Sequence, residues 1–314
     1  MSAAATLPEA AGRPAPRLAR RARALDGEGV HLWAAVAALA FLVAFIGYPM
    51  LANVVLSLQD VSLGNIASWD RPWVGLDNYR EVIGDPLFGT VVWNTVAFTL
   101  GNVLLSFLIG LGLALFFDLG FPGAGFLRGL LLCCWILPPM VVGAVFKWMY
   151  ATEFGLFNEI AVALGFERVH WIADPDIALV SVVIANVWYG TPFSMILLAA
   201  GLSTVPQELY EAAALDGAGR FRRFVHVTVP MLLPTMLAVL ALTTIYTLRV
   251  FDLIWTVTRG GPVDSTNILP LWSFLYSFEF FRFGQGAAVA CLSLVLVVGV
   301  GLLYVRSLRA ETSL

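Results

Sequence analysis

The chain has 314 residues, 60% of them apolar or aromatic and only 12% charged, with a mean hydropathy of +0.85. Soluble domains carry about 25% charged residues, so an ordinary water-facing surface is excluded and lipid is left as the main solvent. A net charge of −3 argues against a nucleic-acid partner, and the cysteines (Cys133, Cys134, Cys291) all lie in apolar runs, which excludes a secreted disulfide scaffold.

Residues 1–30 are rich in Ala and Pro and hold Arg13, Arg17, Arg20, Arg21 and Arg23, a pattern that reads as a short, largely disordered basic tail. An arginine-rich start also suits a cleavable signal peptide. The apolar stretch behind it, residues 31–56, is longer than the roughly 7–15 residues of a signal core and long enough to cross a bilayer. Further stretches of spanning length cover residues 91–117, 126–150, 177–201, 232–257 and 286–305. Backbone polar groups must be satisfied inside lipid, so each predicts a helix. The chain is therefore read as an all-α membrane protein with six transmembrane helices, since no β-barrel produces such long unbroken runs. Pro138, Pro139, Pro192 and Pro234 predict kinks, and Gly101, Ser106, Gly110 and Gly112 predict close helix packing on the second span.

With a cytoplasmic amino terminus, eleven arginines fall in inside segments and five in outside ones. The positive-inside rule thus predicts that both termini are cytoplasmic. The connection between the fourth and fifth spans, residues 202–231, is then an inside loop.

That loop is patterned. Thr204 and Gln207 have capping-box spacing, and Pro206 suits a first helical turn. Residues 207–216 favour helix, and Gly217 and Gly219 supply a glycine stop. Phe221, Phe224, Val225 and Thr228 recur at helical spacing, predicting a second short helix that Pro230 ends. A helix pair resting on lipid headgroups accounts for Arg220, Arg222 and Arg223 but not for Glu208, Glu211 and Asp216, which anionic headgroups would repel. A protein partner accounts for both signs of charge.

Ionisable residues inside spans are functional candidates. Arg249 and Asp252 fall in the expected fifth span, three apart, a spacing that allows an intrahelical pair; Thr243, Thr244, Tyr246 and Thr247 precede them. This polar density is read either as the lining of a translocation path or as interhelical packing against a partner. Asn94, Asn102, Asn186, Trp188 and Tyr189 are the other polar or aromatic residues of note in spans, and Trp and Tyr near span ends suit an interfacial belt. His31, His170 and His226 are scattered and imply no metal site. A P-loop needs Gly-Lys followed by Ser or Thr, and the single lysine, Lys147, sits between Phe146 and Trp148.

Glu211-Ala212-Ala213, three residues, Gly217, nine residues, Val227, one residue and Val229-Pro230 resemble the EAA loop of binding-protein-dependent ABC importer permeases. Val227 and Val229 stand where the family pattern has Ile and Leu. The run GLSTVPQELYEAAALDGA resembles the carbohydrate-uptake branch, of maltose-permease type. Three further clusters are similar to the family in order: Gly75 to Tyr79 with Asp85, Pro86, Phe88, Asn94, Thr95 and Phe98; Lys147 to Tyr150 with Gly155 and Asn158; and Thr258, Gly260-Gly261-Pro262, Thr266, Leu269, Tyr276 and Phe281.

The resemblance implies a type I ABC importer permease fold in a bacterial cytoplasmic (inner) membrane. It implies four kinds of partner: a second permease in a heterodimer, two ATPase subunits, an extracytoplasmic solute-binding protein, and a small-molecule solute of carbohydrate type. No cofactor is expected on this chain, ATP and magnesium being used by the partner ATPase. Glu211 is expected to pair with a basic residue of the ATPase, Ala212 and Ala213 to allow close helix approach and Gly217 to make the turn, with Asp216 and Pro230 in the same coupling set. Thr243, Thr244, Tyr246, Thr247, Arg249 and Asp252 become substrate-path candidates. An ion-gradient-driven secondary transporter is the alternative; the absence of a repeated half and the scarcity of carboxylates in spans stand against it. An intramembrane enzyme would need a nucleophile–base or metal constellation that the spans lack.

Overall fold

The structure, a computed structural model, describes residues 28–68 and 70–311. The basic tail expected over residues 1–30 lies, through residue 27, outside the described residues. The chain divides into two units after Asn53. In the first, α1 (Glu28–Leu42) runs through a wide π turn (Val43–Gly47) toward α2 (Tyr48–Ser57).

The second unit continues with α3 (Asp77–Gly84), α4 (Phe88–Asp118), α5 (Ala124–Ile136), α6 (Pro139–Met149), α7 (Leu156–Ala163), α8 (Pro175–Leu202) and α9 (Gln207–Leu215). After these come α10 (Arg220–Arg223), a π turn (Phe224–Thr228), α11 (Val229–Thr247), α12 (Asp252–Val257), α13 (Leu269–Phe274), a further π turn (Leu275–Glu279) and α14 (Phe283–Glu311). Four runs long and apolar enough to cross a membrane, Trp33–Ser57, Phe88–Asp118, Pro175–Leu202 and Phe283–Arg306, match expected spans to within three residues at either end.

The other two expected spans are redrawn, the third by proline chemistry and the fifth by a proline at its start and a break at its end. The third is not one helix: α5 and α6 meet at 98°. A residue that precedes proline is driven out of the helical region by the following ring. Leu137 and Pro138 both precede a proline, and both are extended, with ψ of 142° and 134°. Two successive extended residues end α5, and Pro139 then starts α6 in the first turn, where its missing N–H costs nothing. Pro192 and Pro234, by contrast, sit inside their helices without a break.

The fifth span starts earlier and ends sooner than expected. Arg220–Thr247 forms one run, so the second short helix of the loop is the extension of α11, and Pro230 lies in its first turn rather than ending it. The wide turn over Phe224–Thr228, closed by the Val229 N–H on the Phe224 carbonyl, makes room for the proline ring that an α turn would crowd. The run stops at Thr247, and α12 begins separately at Asp252.

Packing centres on α4 and α8. A Cβ added at Gly110 would fall 2.7 Å from Ser194 Cβ, so only glycine permits this approach. Gly101 faces Val183 and Ser106 is buried, as the small-residue pattern requires, whereas Gly112 points into open space. One apolar cluster joins Phe98, Val142, Val182, Leu253 and Leu271; a second joins Phe107, Met195, Leu198, Leu202 and Leu232. A third gathers Val82, Trp272, Tyr276 and Val289, and there Tyr276 donates its hydroxyl to Asp85 Oδ2 at 2.8 Å. Burial and the Asp85 carboxylate hold that phenol well above its ordinary pKa, so it remains a donor.

Candidate functional site

Two features are built from the residues singled out by sequence: an exposed connector between α8 and α11, and a mostly apolar cavity with polar side chains in its wall among α4, α5, α6, α8, α11 and α12.

The connector keeps the expected helix and glycine stop but not the expected cap. Thr204 donates its hydroxyl back to the Gly201 carbonyl at 2.7 Å, closing the end of α8, and α9 starts after Pro206 without a side-chain cap. Its other end is a Schellman turn. Gly217 takes φ +78°, its N–H reaches the Ala214 carbonyl at 3.0 Å, and the Ala218 N–H reaches the Ala213 carbonyl at 2.9 Å. Tyr210 and Thr228 share a hydroxyl hydrogen bond of 3.0 Å that ties α9 to the base of α11.

No residue of α9 is buried. Leu215 is 91% exposed and Phe221 80%. Glu211, Ala212, Asp216, Gly217 and Pro230 are also exposed, Ala213 is half-buried, and the Glu211 carboxylate makes no hydrogen bond or ion pair among the described residues. The arrangement is a short helix with a fixed exit turn, displaying apolar and acidic side chains together.

The cavity holds about 440 Å³ and lies in register between the first two apolar clusters: Asn102 falls between Phe98 and Phe107 on α4, and residues 186–193 fall between Val183 and Met195 on α8. Thr243, Tyr246, Thr247, Arg249 and Asp252 all line it; Thr244 does not, its hydroxyl donating to the Leu240 carbonyl at 2.7 Å. The Thr247 hydroxyl is fully engaged, accepting from Asn102 Nδ2 at 2.7 Å and donating to the Thr243 carbonyl at 2.7 Å. The Thr243 hydroxyl is buried without a partner among the described residues.

Arg249 and Asp252 do not form the intrahelical pair that their spacing allows. The helix ends between them, Arg249 lying in the turn after α11 and Asp252 opening α12, and the two ion pairs among the described residues are Arg80–Asp77 and Arg168–Glu159.

Sequence reasoning passed over part of the wall. Asn102 and Asn186, noted only as polar residues in spans, and Tyr189, a candidate for the interfacial belt, line the cavity, as do Trp135 and Phe193, which the sequence did not single out. Trp135 and Phe193 stack at 5.3 Å, and Phe193 meets Tyr246 edge-on at 5.5 Å. The missed signal was periodic: Asn186, Tyr189, Gly190 and Phe193 follow i, i+3, i+4, i+7 on one face of α8. Trp188 faces a separate apolar cleft, and Asn94 serves the fold, donating to the carbonyls of Asp264 and Asn267.

Long apolar helices around a cavity with polar side chains in its wall, with an exposed connector at the end of α8, define a multi-pass membrane protein. Residues 106–310 match the family described as the inner membrane component of binding-protein-dependent transport systems, and the chain belongs to that family: it is a permease subunit of an ATP-binding-cassette importer. It is 39% identical to the trehalose/maltose transport system permease of Thermococcus litoralis, over 76% of this chain and 80% of that one. It is 35% identical to the sulfoquinovosyl glycerol transport system permease of Agrobacterium fabrum (84% and 85%) and 34% identical to the diacetylchitobiose uptake system permease of Streptomyces coelicolor (92% and 88%). A bacterial ABC transporter for the polysaccharide alginate, solved with its periplasmic protein bound to an alginate pentasaccharide, shares the fold at a TM-score of 0.78 and 17% identity, over 92% of this chain and 97% of that one. Family membership leaves the ion-gradient transporter and the intramembrane enzyme without support.

Proposed function

We propose that the chain forms one half of a translocation path for a carbohydrate or carbohydrate-like solute, a second and different permease forming the other half. An external binding protein delivers the solute. Two separate ATPase subunits hydrolyse ATP with magnesium, since this chain has no Gly-Lys-Ser/Thr phosphate cradle. Both termini lie on the cytoplasmic side, which the arginine distribution favours. The three relatives named above are transport permeases for trehalose/maltose, sulfoquinovosyl glycerol and diacetylchitobiose, and this supports a carbohydrate or carbohydrate-like solute.

The observation that carries the reading is the convergence of Thr243, Tyr246, Arg249 and Asp252 with Asn102 and Asn186 on one cavity among apolar helices. Hydroxyl-bearing solutes need both donors and acceptors, and aromatic faces such as Trp135 and Tyr246 suit the C–H faces of sugar rings. Coupling runs through residues 203–219: Glu211 pairs with a cation of the ATPase, Ala212 and Ala213 admit a close neighbour, and the Gly217 turn fixes the exit of α9. A lever of this kind transmits motion because α9 is pinned by Tyr210 to the helix whose far end lines the cavity. The test is solute uptake into cells carrying the complete importer. Tyr246→Ala is expected to depress uptake with the complex still assembled; wild-type uptake would remove the cavity from the path.

A further inference from the structure

Arg249 and Asp252 are the oppositely charged pair in the cavity wall, and neither is committed. Each is exposed to the cavity, and neither makes an ion pair or a side-chain hydrogen bond among the described residues. A continuous helix would set residues three apart on one face and let them neutralise each other. The interruption between Thr247 and Asp252 prevents that, so two unpaired charges line a cavity among apolar helices.

Their chemistries are complementary and exclusive. A guanidinium only donates hydrogen bonds, and a carboxylate only accepts them. A hydroxyl does both, so a solute with hydroxyls on neighbouring carbons can accept from Arg249 and donate to Asp252 together. An anionic solute satisfies Arg249 but is repelled by Asp252; a cationic one meets the reverse.

We infer that Arg249 and Asp252 act as a charge filter in the membrane cavity, selecting neutral polyhydroxy solutes and rejecting sugar acids and sugar amines. This rests on the cavity being the solute path. It adds that selection occurs within this chain, beyond whatever the external binding protein selects.

The importer, with its partner permease and ATPase subunits, is reconstituted in nanodiscs without the binding protein, and binding of radiolabelled maltose, trehalose and cellobiose is measured. Cellobiouronic acid and de-N-acetylated chitobiose serve as anionic and cationic competitors. In the wild type, both charged competitors are expected to displace the bound neutral sugar about tenfold less well than neutral competitors do. Asp252→Asn is expected to recover most of that factor for the acid alone, and Arg249→Gln for the amine alone. Equal displacement by charged and neutral sugars in the wild type, or variants that shift both charged competitors alike, would overturn the filter. If Tyr246→Ala weakens neutral-sugar binding while Arg249→Gln and Asp252→Asn leave the charge ranking intact, the filter fails and the path stands. If no probe binds the wild type and Tyr246→Ala retains full uptake in cells, the path fails and the filter with it.

Discussion

Thr243 and Thr247 looked equivalent as sequence, two hydroxyls one helical turn apart. In the structure their situations are opposite. The Thr247 hydroxyl is spent on Asn102 and on the backbone, whereas the Thr243 hydroxyl is buried and unpartnered beside the cavity. Replacing an unsatisfied buried hydroxyl by a methyl group is neutral or stabilising. Thr243→Val is therefore expected to keep or raise the thermal stability of the purified complex. Thr247→Val strands the Asn102 amide and is expected to cost roughly 0.6–1 kcal/mol of helix association, read as a lower unfolding temperature in detergent. Equal effects of the two substitutions on stability would contradict this division. At this scale the sequence shows which residue types are present but not which hydrogen bonds consume them, because Asn102 and Thr247 lie 145 positions apart.

The same limit appears in the residues that carried the family resemblance outside the loop. Asn78 donates to the Ser57 and Gln59 carbonyls, Thr95 receives the Leu269 N–H, and Asn158 binds both Val169 and the Trp171 indole. These are staples between segments distant in sequence, so their pattern was legible as a likeness while their purpose was not.

Helices and turns were more legible, because their signals are local. The Gly217 stop was read from sequence and forms as a positive-φ turn with both Schellman bonds. Any L-residue pays about 1–2 kcal/mol in this conformation. Gly217→Val is expected to misdirect the exit of α9 and reduce ATP hydrolysis coupled to transport, with membrane insertion and expression unchanged; full coupling would show that the turn is not part of the lever. Proline is involved in both redrawn helices, although the early end of α11 at Thr247 is not its work. The tandem Pro138-Pro139 was read as a kink but breaks the helix outright, because each ring expels the residue before it from helical geometry. Pro230 was read as a terminator and is instead absorbed by a wide turn. Whether a proline stops, bends or starts a helix depends on its neighbours' hydrogen bonds, which spacing alone does not give.

At the scale of the whole molecule, coupling to a cytoplasmic ATPase requires that the connector face the cytoplasm and the cavity open within the bilayer. A cysteine at Leu215, in a chain whose Cys133, Cys134 and Cys291 are replaced by serine, is expected to react with a membrane-impermeant maleimide in inside-out vesicles and not in intact spheroplasts. The reverse pattern would invert the topology and separate α9 from any cytoplasmic ATPase. The overall architecture was readable from composition and run length because lipid forces backbone groups to pair within each helix. The cavity was not, since it arises where α11 stops and α5 breaks, two events that hydropathy averages over.

The central claim is that residues 203–219 are the socketed end of a lever driven by a separate ATPase. The most direct measurement is co-purification of the ATPase subunits with the permease from membranes expressing the whole importer, comparing the wild type with Glu211→Arg. The expected result is loss of the ATPase from the Glu211→Arg complex while the partner permease is retained. Wild-type recovery of the ATPase, with solute-stimulated ATP hydrolysis undiminished, would contradict the claim.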